Sequence, residues 1–134
     1  MGQKFYVAVS YGRTPDEAFA EALLDAIEGG FDDIYSGTIG PKDSYRPDAG
    51  FSGDPNNAEE VAWRIADLER TDVDDAEMPG GKWGPALCIE LGRGCPVDDL
   101  MIFLDAYEPY TVNRYRFGEH IDYKPYVFFG SSAY

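Results

Sequence analysis

The chain opens on a run of aromatic and β-branched residues, Phe5-Tyr6-Val7-Ala8-Val9-Ser10-Tyr11, closed by Gly12. Such a run predicts a strand in the middle of a sheet. Thr14-Pro15-Asp16-Glu17 then sets a helix start: a capping hydroxyl, a proline at the first helical position and a glutamate three residues after the cap. Phe19, Leu23 and Ile27 follow at intervals of four with Ala22 and Ala26 beside them, which makes one apolar stripe. Gly29-Gly30 supplies the stop.

Residues 31–56 are broken up by Gly37, Gly40, Pro41, Pro47, Gly50, Gly53 and Pro55, so they read as irregular, with a short strand at Ile34–Ile39. A second helix is predicted from Asn57 to Arg70, because Asn57 and Glu60 repeat the cap-plus-three spacing. Val61, Ile65 and Leu68 form its core stripe with Ala58 and Ala62, and Glu60–Arg64 is a favourable pair four residues apart. Ala86–Leu91, between Gly84-Pro85 and Gly92, reads as a buried strand. Leu100–Leu104 fits either period. Val97, Leu100, Met101 and Leu104 make a helical stripe, but Met101-Ile102-Phe103 suits a strand, and the strand is favoured. Tyr126–Phe129 closes the chain as a strand ending at Gly130.

This order predicts a single α+β domain over residues 1–134. It is expected to hold a mainly antiparallel sheet of about four strands with the two helices on one face. A length of 134 residues suits one domain with its own core.

Charge changes the picture more than composition does. Twenty-five acidic residues against eleven Lys and Arg give a net charge of −14. Nucleic acid is bound when Lys and Arg neutralise its phosphates and so release their counterions, and direct nucleic-acid binding is therefore not expected. Anionic membranes are disfavoured for the same reason. The longest apolar run, Leu100–Leu104, is far short of the about 18 residues a membrane span needs. Met1-Gly2-Gln3-Lys4 leads straight into the first strand, so a cytoplasmic location is the expectation. The partner that this charge favours is a basic protein. On the first helix Glu17, Glu21, Asp25 and Glu28 form an acidic ridge with no basic residue inside the helix, and this is the first candidate partner-binding surface. A second is the aromatic late segment, where Tyr110, Arg114, Tyr115 and Arg116 combine residue types enriched at interfaces.

Catalytic chemistry is not legible. His120 is the only histidine, and neither a Gly-x-Ser-x-Gly elbow nor a cysteine counterpart accompanies it. Cys88 lies in an apolar run and reads as a small buried hydrophobe, Cys95 as a turn residue. Neither catalytic nor metal residues are assigned, and no cofactor is expected. Gly37 to Ser44 contains Gly, Lys and Ser, but not at the spacing of a phosphate-binding loop. Asp72, Asp74, Asp75 and Glu77 supply carboxylates without the pattern of a calcium loop.

Tyr35-Ser36-Gly37-Thr38-Ile39, Lys82-Trp83-Gly84-Pro85 and Phe128-Phe129-Gly130 together resemble small uncharacterised proteins of phages and bacteria. The resemblance implies no activity. Three readings follow. The favoured one is a non-enzymatic acidic binding protein for a basic partner, of which a phage-type inhibitor imitating nucleic-acid charge is one form. The second is a small-molecule or nucleotide-binding domain or enzyme using Gly37–Ser44. The third is an assembly subunit that forms a homodimer through its late aromatics. As no metal is expected, exhaustive dialysis against a chelator should leave the melting temperature unchanged. A fall of several degrees would show that the fold holds a metal and would overturn the reading of Asp72, Asp74, Asp75 and Glu77 as a solvated acidic loop.

Overall fold

The structure, a computed structural model, describes residues 3–28, 39–71, 77–92, 97–104, 110–111 and 123–133. In chain order the elements are β1 (Gln3–Gly12), α1 (Pro15–Glu28), β2 (Tyr45–Pro47), α2 (Ala58–Thr71), β3 (Ala86–Glu90), α3 (Val97–Phe103), β4 (Tyr110–Thr111) and β5 (Lys124–Ala133). They form an α+β fold around one mixed sheet of strand order β2-β3-β5-β1-β4, in which β4 contributes only two residues. The central strands are antiparallel: β5 pairs with β1 from Gln3↔Ala133 to Gly12↔Lys124, and with β3 from Leu87↔Phe129 to Glu90↔Tyr126. The edge strands β2 and β4 join in parallel.

The three central strands are apolar on both faces. Val7, Val9, Leu87, Ile89, Val127 and Phe129 point to one side, where they pack with Ala58, Val61, Ala62 and Ile65 of α2 and Val97 and Leu100 of α3. Tyr6, Ala8, Ala86, Cys88, Tyr126 and Phe128 point to the other, against Ala18, Phe19, Ala22 and Ala26 of α1. The expectation of two helices on one face is therefore corrected: α1 covers one face, and α2 with α3 covers the opposite one. A strand without a polar face needs cover on both sides, and one helix layer leaves half of it wet.

Register explains how the α1 face is filled. Phe128 stands between two small residues, Ala8 on β1 and Cys88 on β3. The room beside its ring takes Phe19 of α1 and Tyr45 of β2, with ring centroids 5.4 and 5.7 Å away. Small residues on the helix let it sit close to the sheet. The buried stripe of α1 is accordingly Ala18-Phe19-Ala22-Ala26, while Ile27, expected inside, is exposed.

Both caps form as expected. Thr14 Oγ1 accepts the Glu17 N–H at 3.2 Å, and Asn57 Oδ1 accepts the N–H groups of Glu59 and Glu60. The segment favoured as a strand, Leu100–Leu104, is corrected: Leu100–Phe103 belong to helix α3 and Leu104 follows directly in a turn. Val97, Leu100 and Leu104 are buried at helical spacing, whereas Ile102 and Phe103 face outward. A strand there would alternate sides and place Met101 and Phe103 together. The expected strand at Ile34–Ile39 falls on residues outside the described set, except Ile39, which is buried in the α1-side core. Strand β2 was not anticipated. It borrows its order from β3, through Tyr45↔Ala86 and its neighbours. The closing strand runs on past Gly130 to Ala133, and a glycine is required there. Gly130 has φ +151°, and a side chain would press on Gly80 of the overlying loop.

That loop, residues 78–85, is held from below by Lys42. Its ammonium is buried and donates to the carbonyls of Gly81, Lys82 and Gly84 at 3.1, 3.0 and 2.9 Å. Burial pushes Lys42 down to about 8. Lys42 is the one cation of the Gly37–Ser44 segment, and its charge is engaged by the protein's own backbone rather than turned toward a phosphate. Lys42→Met should lower the unfolding free energy by about 2–4 kcal/mol, since it orphans buried carbonyls. Urea denaturation measures this, and a loss below about 0.5 kcal/mol would show that the loop does not depend on the lysine.

Candidate binding surface

Helix α2 presents two sides. Ala58, Val61, Ala62 and Ile65 face the core. On the outward side stands Trp63, 66% exposed, in an element whose other large apolar residues are wholly or partly covered. Glu59 and Glu60 precede it by four and three residues and so lie one helical turn away on the same side. Beside α2 packs α3, which turns Ile102 and Phe103 outward at 70% and 52% exposure. Between the helices runs a groove of about 220 Å³ floored by Ala62 and Ala66, with Trp63, Arg70 and Phe103 around it. On the other side of Trp63 opens a larger cleft of about 490 Å³, between α2 and the 50–53 segment. Trp63 is thus the wall common to groove and cleft.

The cleft owes its shape to an ion pair that the sequence did not announce. Arg64 was expected to pair with Glu60. Instead its Nε and Nη2 donate to the two carboxylate oxygens of Asp48 at 2.7 and 2.8 Å. The Asp48 side chain is 2% exposed. A forked guanidinium matched to a carboxylate is the strongest geometry for such a pair, and Asp48 holds Arg64 protonated beyond its ordinary range. Asp48 also accepts the Gly50 N–H at 3.0 Å, and its own N–H donates to Cys88 O on β3. One aspartate therefore ties the 48–53 segment to both α2 and the sheet. Glu60, released from Arg64, reaches back and accepts the Asp54 N–H at 2.6 Å. A side chain at Gly50 would meet the Arg64 guanidinium and require it to shift. With Arg64 neutralised by Asp48, the carboxylates of Glu59 and Glu60 set the sign of the cleft.

The residues proposed from sequence are distributed differently. Glu17, Glu21 and Asp25 are half-buried and Glu28 is exposed along α1, on the opposite face of the sheet from Trp63. The ridge is not wholly unpaired: Arg13, just before the helix, lies 3.5 Å from Glu17, and Tyr123 bonds to Glu17 as well. Nearby, the Tyr45 hydroxyl donates to Asp16, so burial and this carboxylate together raise its pKa. Asp25 is raised above its ordinary value by partial burial and by Glu28. Tyr110 lies in the edge strand β4, in register with Ala8. Arg114, Tyr115 and Arg116 fall outside the described residues, as do His120 and Cys95. Cys88 is a free buried thiol pushed up to about 12, an inert core residue. Among the described residues no group of three metal-ligating side chains converges.

The sequence reading passed over Trp63, Ile102 and Phe103. The signal for Trp63 was present: it falls outside the 58-61-62-65-68 stripe, an aromatic on the polar side of a helix. The other two carry that signal only if residues 97–103 are read as a helix.

No family model, curated protein or solved structure matches the chain. The residues alone carry the functional argument.

The raised Asp25 gives a pH test. A carboxylate whose folded pKa lies above its unfolded value of 3.8 destabilises the fold once it is ionised. Asp25→Asn should therefore stabilise the protein at pH 7 by a few tenths of a kcal/mol. The gain should vanish as pH falls below 3.8, where both states of the wild type carry the proton. Thermal melts of both proteins across pH 3 to 7 read this, and a gain that persists undiminished at pH 3 would trace it to another cause.

Proposed function

We propose that the protein is a non-catalytic acidic binding protein that docks a basic protein partner on the surface formed by α2 and α3. The observation that carries this reading is Trp63, exposed between a cleft and a groove and adjoined by Glu59 and Glu60. An exposed tryptophan is the residue type that most often dominates binding energy when a partner covers it. The surrounding carboxylates and the net charge of −14 select a partner of opposite sign. They also argue against a second copy of this chain as the occupant, because like-charged monomers repel. The α1 ridge, on the far side of the sheet, contributes to the field that steers a basic partner from a distance rather than to the contact.

This division of labour is measurable. The probe is an immobilised polypeptide of Arg, Lys and Leu, with an Asp/Glu/Leu counterpart as control. The protein should bind the basic polypeptide alone. Replacing Glu17, Glu21 and Glu28 by Gln and Asp25 by Asn together should slow association and flatten its salt dependence, with dissociation unchanged. Trp63→Ala leaves the charge as it was and should speed dissociation by about tenfold or more. If dissociation ignores Trp63, the α2–α3 surface is not the docking face.

A further inference from the structure

The cleft beside Trp63 has a chemistry of its own, and we infer that it takes the side chain of an arginine from the basic partner. The inference rests on the docking reading above and deepens it. Three features of the cleft converge on a planar cation. Trp63 offers a broad exposed ring at one wall, and the indole face is the best of the aromatic platforms for a positive charge. Glu59 and Glu60 bring two carboxylates to the same wall, one helical turn before the ring. Oε2 of Glu60 is engaged by the Asp54 N–H, so Glu60 is held in place while its other oxygen is left to a ligand. Among the described residues of the lining the one cation, Arg64, is already matched by both oxygens of Asp48 and is not free to serve as a counter-ion for an anionic guest.

Arginine is selected over lysine by shape. A guanidinium stacks flat on an indole and forks to a carboxylate in one pose, whereas an ammonium is a compact, strongly hydrated point charge. The cleft volume of about 490 Å³ leaves room for the whole side chain. Gly50 and Gly53 form the opposite lip. A side chain at Gly53 would lie against Phe51 and Glu60, so the two glycines help keep the entrance open.

The test uses the intact protein and small probes that a bulk electrostatic field cannot hold in one place. Nα-acetyl-arginine methylamide, its lysine analogue and its norleucine analogue are titrated into isotopically labelled protein, and the Trp63 indole N–H and the amides of residues 50–60 are followed by NMR. The arginine probe should give saturable shifts confined to these groups, with affinity about threefold or more above the lysine probe. The norleucine probe should give none. Glu59→Gln should weaken the arginine probe about threefold or more. Glu69→Gln removes the same charge from α2 outside the cleft and should leave the affinity unchanged. Trp63→Leu should abolish saturation, with the amide spectrum reporting that the fold persists.

Equal affinity for arginine and lysine, or equal effects of the two Glu→Gln changes, would overturn the assignment. So would shifts centred on α1. If these probes fail while the basic polypeptide still depends on Trp63, the arginine cleft falls and the docking face stands. If the polypeptide also ignores Trp63, both fall.

Discussion

Everything in this fold follows from a central strand pair that has no polar face. Over β5, Tyr126 to Phe129 are all buried, and over β1 so are Tyr6 to Val9. Successive side chains on a strand point to opposite sides, so this unbroken run presents apolar surface in both directions at once. Burying only one side would leave several large side chains in water, at about 1.5–3 kcal/mol for each. The chain answers with a helix layer on either side. That arrangement fixes where the outward sides of α1 and α2 can be, and hence which surface features can act together. The acidic ridge and the exposed tryptophan are separated by the thickness of the sheet and the helices on it.

Two irregular segments, 48–53 and 78–85, gain order from buried polar contacts. Lys42 gathers three carbonyls of the 78–85 loop, and Asp48 joins the 48–53 segment to α2 and β3. Apolar contact is sparse in both: Phe51 packs against the core, while Met78 and Trp83 are exposed. A charged group removed from water must find hydrogen-bond partners, and this requirement is directional in a way that hydrophobic contact is not. One lysine and one aspartate therefore specify loop shapes that glycine-rich backbone alone would leave open. The second of these shapes is the lip of the cleft, so an interaction that orders the fold also builds the candidate site.

Surface charge and surface shape play separate parts in the functional reading. The charge is spread over the molecule and acts at long range, where it sets the sign and speed of encounter but not the place of contact. In the proposed reading, place is set by Trp63, Ile102 and Phe103, large apolar groups left outside on two adjoining helices. A partner that buried them would recover what their exposure forgoes.

The local signals in the sequence were sufficient for the elements that depend on neighbours a few residues apart. The caps at Thr14 and Asn57, the α2 stripe and the strands around Val7, Ile89 and Val127 were all legible, because capping bonds and apolar periodicity act within one or two turns of chain. So was the α+β class. Four things were settled only by tertiary structure. They are the distribution of helices over both faces, the helix at Val97–Phe103, the strand β2, and the partner of Arg64. In each case the deciding atoms are distant in sequence. Strand β2 exists because β3 offers it a ladder, and residues 97–103 coil because α2 and the sheet bury Val97 and Leu100 on one side. Arg64 prefers Asp48, sixteen residues back, to Glu60, one turn away, because the Asp48 carboxylate is nearly dry and the pair forks. The candidate site inherits this limit: the sequence shows an aromatic out of place on a helix, but only the folded chain brings the 50–53 segment across from it and makes a cleft.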